Sequence, residues 1–294
     1  MRILVCGGNG FLGRHIVSAL VDAGHDPVVR SRHSDPALNF VHTTTTADWL
    51  PHLQGMDAVV NAVGALRDMP GQPLQALHAD APIALFDACA QAGVRRVVQV
   101  SALGVASNDT SYARTKRAAD EHLLALTARG ALHGVVVRPS VIFGAGGAST
   151  ALFLNLARMP ALLLPPAVQD SAIQPVAVRD LAAVLARLAT QDTPTGLVEI
   201  GGPQPLALGA LVASLRAQMG LSPAAVGRLP QWLAVAGARV GDHIPSLPWC
   251  SDTLAMLQTP NVCDPATLPS LLGRTPVAPD ALYATLPQPG KRHA

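Results

Sequence analysis

Tyr112 and Lys116 stand four residues apart in the run Ser111-Tyr-Ala-Arg-Thr-Lys116. On a helix that spacing places both side chains on one face. An ammonium beside a phenol can lower the phenol's pKa and can also hold a ribose hydroxyl, so the tyrosine could pass a proton near neutral pH. Of the 21 Lys and Arg residues only two are Lys, Lys116 and Lys291, and the chain has only two Tyr. A chain that uses Arg wherever a plain cation serves has kept a lysine in its middle, which asks for a chemical reason. The plainer alternative is a surface tyrosine beside a solvated lysine. Ser101 is a third candidate, in Ser101-Ala-Leu-Gly104. Its hydroxyl could bond a substrate oxygen and complete an acid–base set, or serve only as a local backbone cap.

A second chemical signal opens the chain. Gly7-Gly8-Asn9-Gly10-Phe11-Leu12-Gly13 follows an apolar run and starts a helical pattern. Glycines at 7, 10 and 13 allow a tight turn, a close backbone approach to a pyrophosphate, and close helix–strand packing. The helix N-terminus then offers free N–H groups and a partial positive charge to phosphates. Gly7, Gly10, Phe11, Leu12 and Gly13 are therefore expected cofactor contacts, with Ala62, Val63 and Gly64 after a later strand. About 18 residues past Gly13, where NAD-specific proteins carry an Asp or Glu on the ribose 2′-hydroxyl, stands Ser31 between Arg30 and Arg32. A carboxylate that would repel a 2′-phosphate is missing, and arginines pair well with phosphate. NADP(H) is expected to be preferred, with NAD(H) possible. The alternative is two solvated arginines at a strand end.

Positioning these residues takes alternating strands and helices. Strands are predicted over Arg2–Cys6, Pro27–Arg30, Asn39–His42, Asp57–Val63, Arg96–Ser101 and Gly134–Arg138, and helices over Phe11–Ala23, Pro82–Ala92 and Ser111–Ala128. Short Val/Ile-rich strands separated by helices specify an α/β fold, a doubly wound parallel sheet of the Rossmann type. Past residue 200 the pattern turns to an amphipathic helix, Leu206–Met219, and Pro-rich segments. We therefore expect a nucleotide-binding domain over 1–200 and a small C-terminal substrate lobe over 201–294 packed on it. Trp232, Ile244, Leu247 and Trp249 read as core of that lobe.

Composition narrows the function classes. With 49% hydrophobic and 14% charged residues the chain can bury a large core, and a net charge of +2 with scattered cations gives nucleic acid no footprint. Arg95, Arg96, Arg114 and Arg117 read as solvated. Cys6, Cys89, Cys250 and Cys263 form no CxxC pair and no His stands at ligand spacing, which reads as reduced thiols of a cytoplasmic protein without a metal site. A strand starting at Arg2 leaves no room for a targeting peptide, and prolines break the most apolar stretch, so no transmembrane segment is expected.

The motifs together resemble the extended and atypical short-chain dehydrogenase/reductases, the NAD-dependent epimerase/dehydratase-like group. The likeness covers about the first 200 residues: the glycine turn, Asp57–Gly64, Gly93–Gly104, the Tyr112–Lys116 run, Arg138–Gly144 and Gln174–Asp180. It is nearest to the group of the nucleotide-binding accessory subunit of respiratory complex I. The resemblance implies a nicotinamide cofactor at the sheet's C-terminal edge, Tyr112 as proton donor or acceptor, and Lys116 as ribose ligand. Relatives often carry a Ser/Thr pair where Ser101-Ala102 stands, and an Asp near the adenine where Thr43–Thr46 stand, so those two contacts are left unassigned. Three functions follow: an oxidoreductase, epimerase or dehydratase acting on a small or lipid-like carbonyl substrate; an accessory or assembly subunit with little turnover; or a nucleotide-sensing regulator. A homodimer and association with a larger complex both stay open.

Overall fold

The computed structural model describes residues 1–32, 34, 37–242 and 251–287. Ile244, Leu247, Trp249, Cys250 and Lys291 lie outside the described residues. The chain divides into two compact units, Met1–Pro139 with Leu181–Glu199, and Ser140–Asp180 with Ile200–Ala294. Residues 140–180, grouped from the sequence with the first 200, thus fall in the second unit.

The first unit is built on β1 (Arg2–Cys6), α1 (Phe11–Asp22), β2 (Asp26–Arg30), α2 (Thr46–Leu53), β3 (Ala58–Asn61), α3 (Ala81–Ala92), β4 (Arg96–Val100), α4 (Ser111–Ala128) and β5 (His133–Pro139). With the strand Gly196–Ile200 they form a six-stranded sheet whose order starts at that strand and runs β5-β4-β3-β1-β2. Pairing from β2 through β5 is parallel. Val59, Val60, Val97, Val98, Val135 and Val136 are fully buried, as strands covered on both faces require. On one face α3 and α4 pack Leu85, Phe86, Cys89, Ala119 and Leu123 into a core shared with Leu4, Val59, Val97 and Val136. The chain leaves β1 with β2 on one side and β3 on the other. That reversal opens a crevice at the strands' carboxyl ends.

Two expectations for this unit need correction. Asn39–His42 is not a strand: Phe40–His42 is a 3-10 turn. Asn39 Oδ1 accepts from Val41 N–H at 3.2 Å, and Thr43 Oγ1 donates to Asn39 O at 2.8 Å. Those local bonds compete with a sheet ladder, and Phe40 packs edge-on against Trp49, ring centroids 5.1 Å apart. Arg96 is not solvated. It is 4% exposed and donates to Leu188 O, His133 O, Asp192 O and Pro194 O at 2.6–3.2 Å. A guanidinium's fixed fork of donors suits such a ring of carbonyls.

In the second unit the helices Ala148–Arg158 and Leu208–Gln218 pack around Phe143, Phe153, Ile173, Leu211 and Leu215. The second helix starts two residues later than expected because Leu206–Ala207 pairs antiparallel with Ala172–Ile173. Buried Gln174 donates to Gly202 O at 2.6 Å and accepts from Cys263 N–H at 2.8 Å, joining separate segments. Trp232 is 69% exposed and is therefore not lobe core; Ala234 and Ala238 on the same helix are buried instead. Among the described residues no helix is long and apolar enough to cross a membrane.

Trp49 is fully buried and donates Nε1–H to Thr43 O at 3.1 Å, so it anchors the segment that replaces the expected strand. Trp49→Ala should lower the unfolding free energy by about 3–5 kcal/mol. Urea titration checks this, and a loss below about 1 kcal/mol would show that the segment does not depend on it.

Candidate active site

The glycine turn is formed by backbone that no side chain could share. Gly7 has φ +77°, and its N–H donates to Arg30 O at 3.0 Å, joining the ends of β1 and β2. A Cβ on Gly7 would stand 3.1 Å from Val63 Cγ2 and 3.2 Å from Ala62 O. A Cβ on Gly13 would stand 2.1 Å from Gly7 O, which is impossible without moving backbone. Gly10 caps α1 without a side-chain hydrogen bond, and Leu12 and Gly13 are buried on the helix's inner face. Phe11 stacks edge-on with His15. The turn thus meets Ala62 and Val63, and the uncapped α1 N–H groups suit a pyrophosphate.

Lys116 and Tyr112 come from α4, which Thr110 caps by accepting from Ala113 N–H at 3.2 Å. Lys116 is 3% exposed. Its ammonium donates to Val63 O at 3.1 Å, just past the end of β3, and to Val100 O at 3.0 Å, in the last residue of β4. The same Nζ lies 3.6 Å from where a Cβ on Gly64 would stand. Burial pulls the Lys116 pKa down to about 8, with Asp120 opposing. The expected lowering of the Tyr112 pKa is not found. Burial, and then the charge of Asp120, push it up to about 12.

Ser101 is not a local backbone cap. Its hydroxyl donates to Asp120 Oδ2 at 2.7 Å, and the same oxygen accepts from Arg138 Nε and Nη2 at 3.0 Å each. Asp120 is fully buried and its Oδ1 has no partner among the described residues. Burial raises its pKa, while Ser101 and Arg138 pull it back. Asp120 was missed, although Tyr112, Lys116 and Asp120 fall at i, i+4 and i+8 on one stripe of α4, a readable signal. His78, also missed, is fully buried beside Tyr112, with ring centroids 5.3 Å apart.

At the end of β2, Ser31 Oγ accepts from Asn9 Nδ2 at 2.7 Å, tying the glycine turn to the strand. Arg30 Nη1 donates to Val29 O at 3.1 Å, and its Nε is buried without a partner among the described residues. Arg32 is exposed. Thr45, in the unassigned threonine run, forms a capping box with Asp48 at the start of α2.

The buried lysine makes stability depend on pH. From about pH 8 up to the ordinary lysine value of 10.5 the unfolded chain keeps this proton while the folded chain releases it, so stability rises with pH across that window. Lys116→Met removes the rise. The difference in unfolding free energy between wild type and variant should shift in wild type's favour by on the order of 2 kcal/mol from pH 8 to 10.5. Parallel urea-unfolding profiles for the two proteins over that range would refute the assignment.

The NAD dependent epimerase/dehydratase family matches residues 3–201. Among curated proteins, the ceramide reductase of Caulobacter vibrioides (strain NA1000 / CB15N) is 31% identical over 210 residues, 67% of this chain. The match spans 63% of that protein's own length. Among solved structures, MoeE5 in complex with UDP-glucose and NAD is 21% identical with a TM-score of 0.70, covering 97% of both chains. RMD from Pseudomonas aeruginosa complexed with NADPH is 17% identical with a TM-score of 0.67, again covering 97% of both. At such identities these two likenesses establish the fold, a Rossmann-type α/β sheet. Because the family match extends over most of the chain, this protein belongs to the NAD-dependent epimerase/dehydratase family.

Proposed function

We propose that the chain is a cytoplasmic, NADP(H)-preferring reductase that converts a carbonyl of a lipid-like molecule to an alcohol. The observation that carries this reading is the placement of Lys116. Its ammonium sits at the ends of β3 and β4, beside Gly64, with Tyr112 one helical turn away on α4. The bound nicotinamide dinucleotide would supply the hydride. Gly7, Gly10, Phe11, Leu12 and Gly13 would hold its pyrophosphate side, and Ala62, Val63, Gly64 and Lys116 the ribose nearer the reaction. The glycine cradle that a Cβ would fill, and the unpartnered Nε of Arg30, fit such a group. Arg30, Ser31 and Arg32 would take the 2′-phosphate.

Tyr112 is the proton donor in this reading. A phenol held up at about 12 stays protonated at physiological pH, and an alkoxide formed by reduction is more basic than a phenolate, so the proton passes from Tyr112 to the new hydroxyl. Ser101 is committed to Asp120 and acts by fixing α4 against β4. Two observations support a lipid-like substrate. One relative is named a ceramide reductase. The second unit also holds an apolar pocket of about 220 Å³, with Leu152, Phe153, Leu156, Leu163, Val168 and Leu257 among its lining. Its lining carries no polar side chain, which suits an apolar ligand.

A second reading has one observation in its favour. Ser101's hydroxyl is buried in the cluster with Asp120 and Arg138, and so is not presented to a substrate. This suits a nucleotide-binding accessory subunit of a larger assembly, in line with the resemblance to the complex I group. Such a protein would gain thermal stability from bound nucleotide and oxidise no reduced cofactor with any carbonyl.

Turnover separates the two. Tyr112→Phe should cut carbonyl reduction by roughly 100-fold and leave cofactor affinity nearly unchanged; equal rates for variant and wild type on a true substrate would end the catalytic reading. For cofactor choice, calorimetry should show NADP(H) binding at least ~10-fold tighter than NAD(H), as one charge-assisted phosphate contact provides. Replacing Arg30 and Arg32 with Ala should remove that margin and leave NAD(H) affinity almost untouched. Equal wild-type affinities for the two cofactors would overturn the assignment.

A further inference from the structure

His78 lies on a π-helical turn, Ala76–Asp80, that runs straight into α3. Single-turn π segments often mark functional positions. Its ring has three contacts. Ala65 N–H donates to Nε2 at 3.0 Å, Nδ1 lies 3.3 Å from Thr115 Oγ1, and the ring meets that of Tyr112 at an interplanar angle of 89°.

These contacts decide the tautomer. A backbone N–H can only donate, so Nε2 is the unprotonated acceptor and the ring proton sits on Nδ1. Nδ1–H then donates to Thr115 Oγ1, whose own proton goes to Ser111 O at 2.9 Å or Tyr112 O at 3.1 Å. Every proton in the chain has a place. A second proton on the ring would set Nε2–H against Ala65 N–H and add a charge beside Lys116. Burial, reinforced by Lys116, accordingly pushes the His78 pKa down to about 2. Lys116 and Tyr112, both on α4, are the titratable side chains beside the ring.

We propose that His78 is the positioning residue of this site: an uncharged clamp that ties the turn after β3 to α4 and holds the Tyr112 ring from its edge. A Cβ on Gly64 would stand 3.8 Å from His78 Nε2 and 3.6 Å from Lys116 Nζ, so the clamp also sets the distance between that turn and the lysine. The functional side of this inference rests on the reading of Tyr112 and Lys116 as the reacting pair. The hydrogen-bonding side stands independently of it.

The first measurement is ¹⁵N NMR of the imidazole in the wild-type protein. The expected pattern is a bare Nε2 and a protonated Nδ1, unchanged from pH 8 to pH 5. The opposite tautomer, or titration of His78 within that range, would overturn the proposal. The second measurement compares two variants. His78→Phe keeps a ring against Tyr112 but removes both hydrogen bonds, and kcat should fall about 100-fold with little change in the cofactor's KM, as small displacements of reacting groups do. His78→Gln offers one acceptor and one donor, and should recover kcat to within about tenfold of wild type. A folded His78→Phe protein with wild-type kcat would also overturn the proposal. Should Tyr112→Phe prove silent, the catalytic reading fails by itself, and the NMR pattern still decides whether the clamp exists.

Discussion

A buried ammonium is costly unless its donors find acceptors, and two of the three donors of Lys116 find backbone carbonyls, Val63 O and Val100 O. Val100 closes the ladder of β4, and Val63 lies two residues past the end of β3, so both carbonyls stand at the carboxyl ends of adjacent parallel strands. The lysine therefore does more than contribute a charge. It bridges β3 and β4 at their carboxyl ends and fixes α4 above them. With Lys116 placed, Tyr112 must appear one turn earlier and Asp120 one turn later on the same stripe. The site is a consequence of one helix held in one register.

The same stripe explains the electrostatics. Asp120 lies beneath the lysine, fully buried, and is held by Arg138 from β5 and Ser101 from the end of β4. Its negative charge offsets part of the desolvation of Lys116 and at the same time opposes ionisation of Tyr112. The phenol therefore stays protonated, and the ammonium pKa lies at about 8. Removing Asp120 from such an arrangement would leave Arg138 as an uncompensated buried cation, which is why Ser101, Asp120 and Arg138 behave as one unit.

The second unit follows a different logic. Its segments are joined by buried side chains: Gln174 bonds the backbone of Gly202 and Cys263, and Asp180 accepts from the Arg274 guanidinium and from Val277 N–H. Its pocket is lined by leucines, a phenylalanine, a proline and a valine. Polar atoms are spent on holding loops together, and the space between is left to hydrocarbon.

What the sequence determined by itself was local and periodic. Short Val-rich strands alternating with helices specified the parallel sheet, and the spacing of Gly7, Gly10 and Gly13 specified the turn, because backbone sterics at those positions depend on a few neighbouring residues. Tyr112 and Lys116 shared a helix face for the same reason. The Asn39–His42 run misled because its apolar residues fit a strand, while Asn39 and Thr43 supplied turn bonds that a propensity count does not weigh. Tertiary structure decided everything that depends on which strand ends lie side by side. His78 reaches Ala65 across 13 residues and Thr115 across 37, Ser101 and Arg138 meet Asp120 from 19 and 18 residues away, and Arg96 is buried by carbonyls more than 90 residues on. The direction of the Tyr112 shift was decided there too, since desolvation depends on what surrounds a group in space and the spacing of two residues on a helix does not record it.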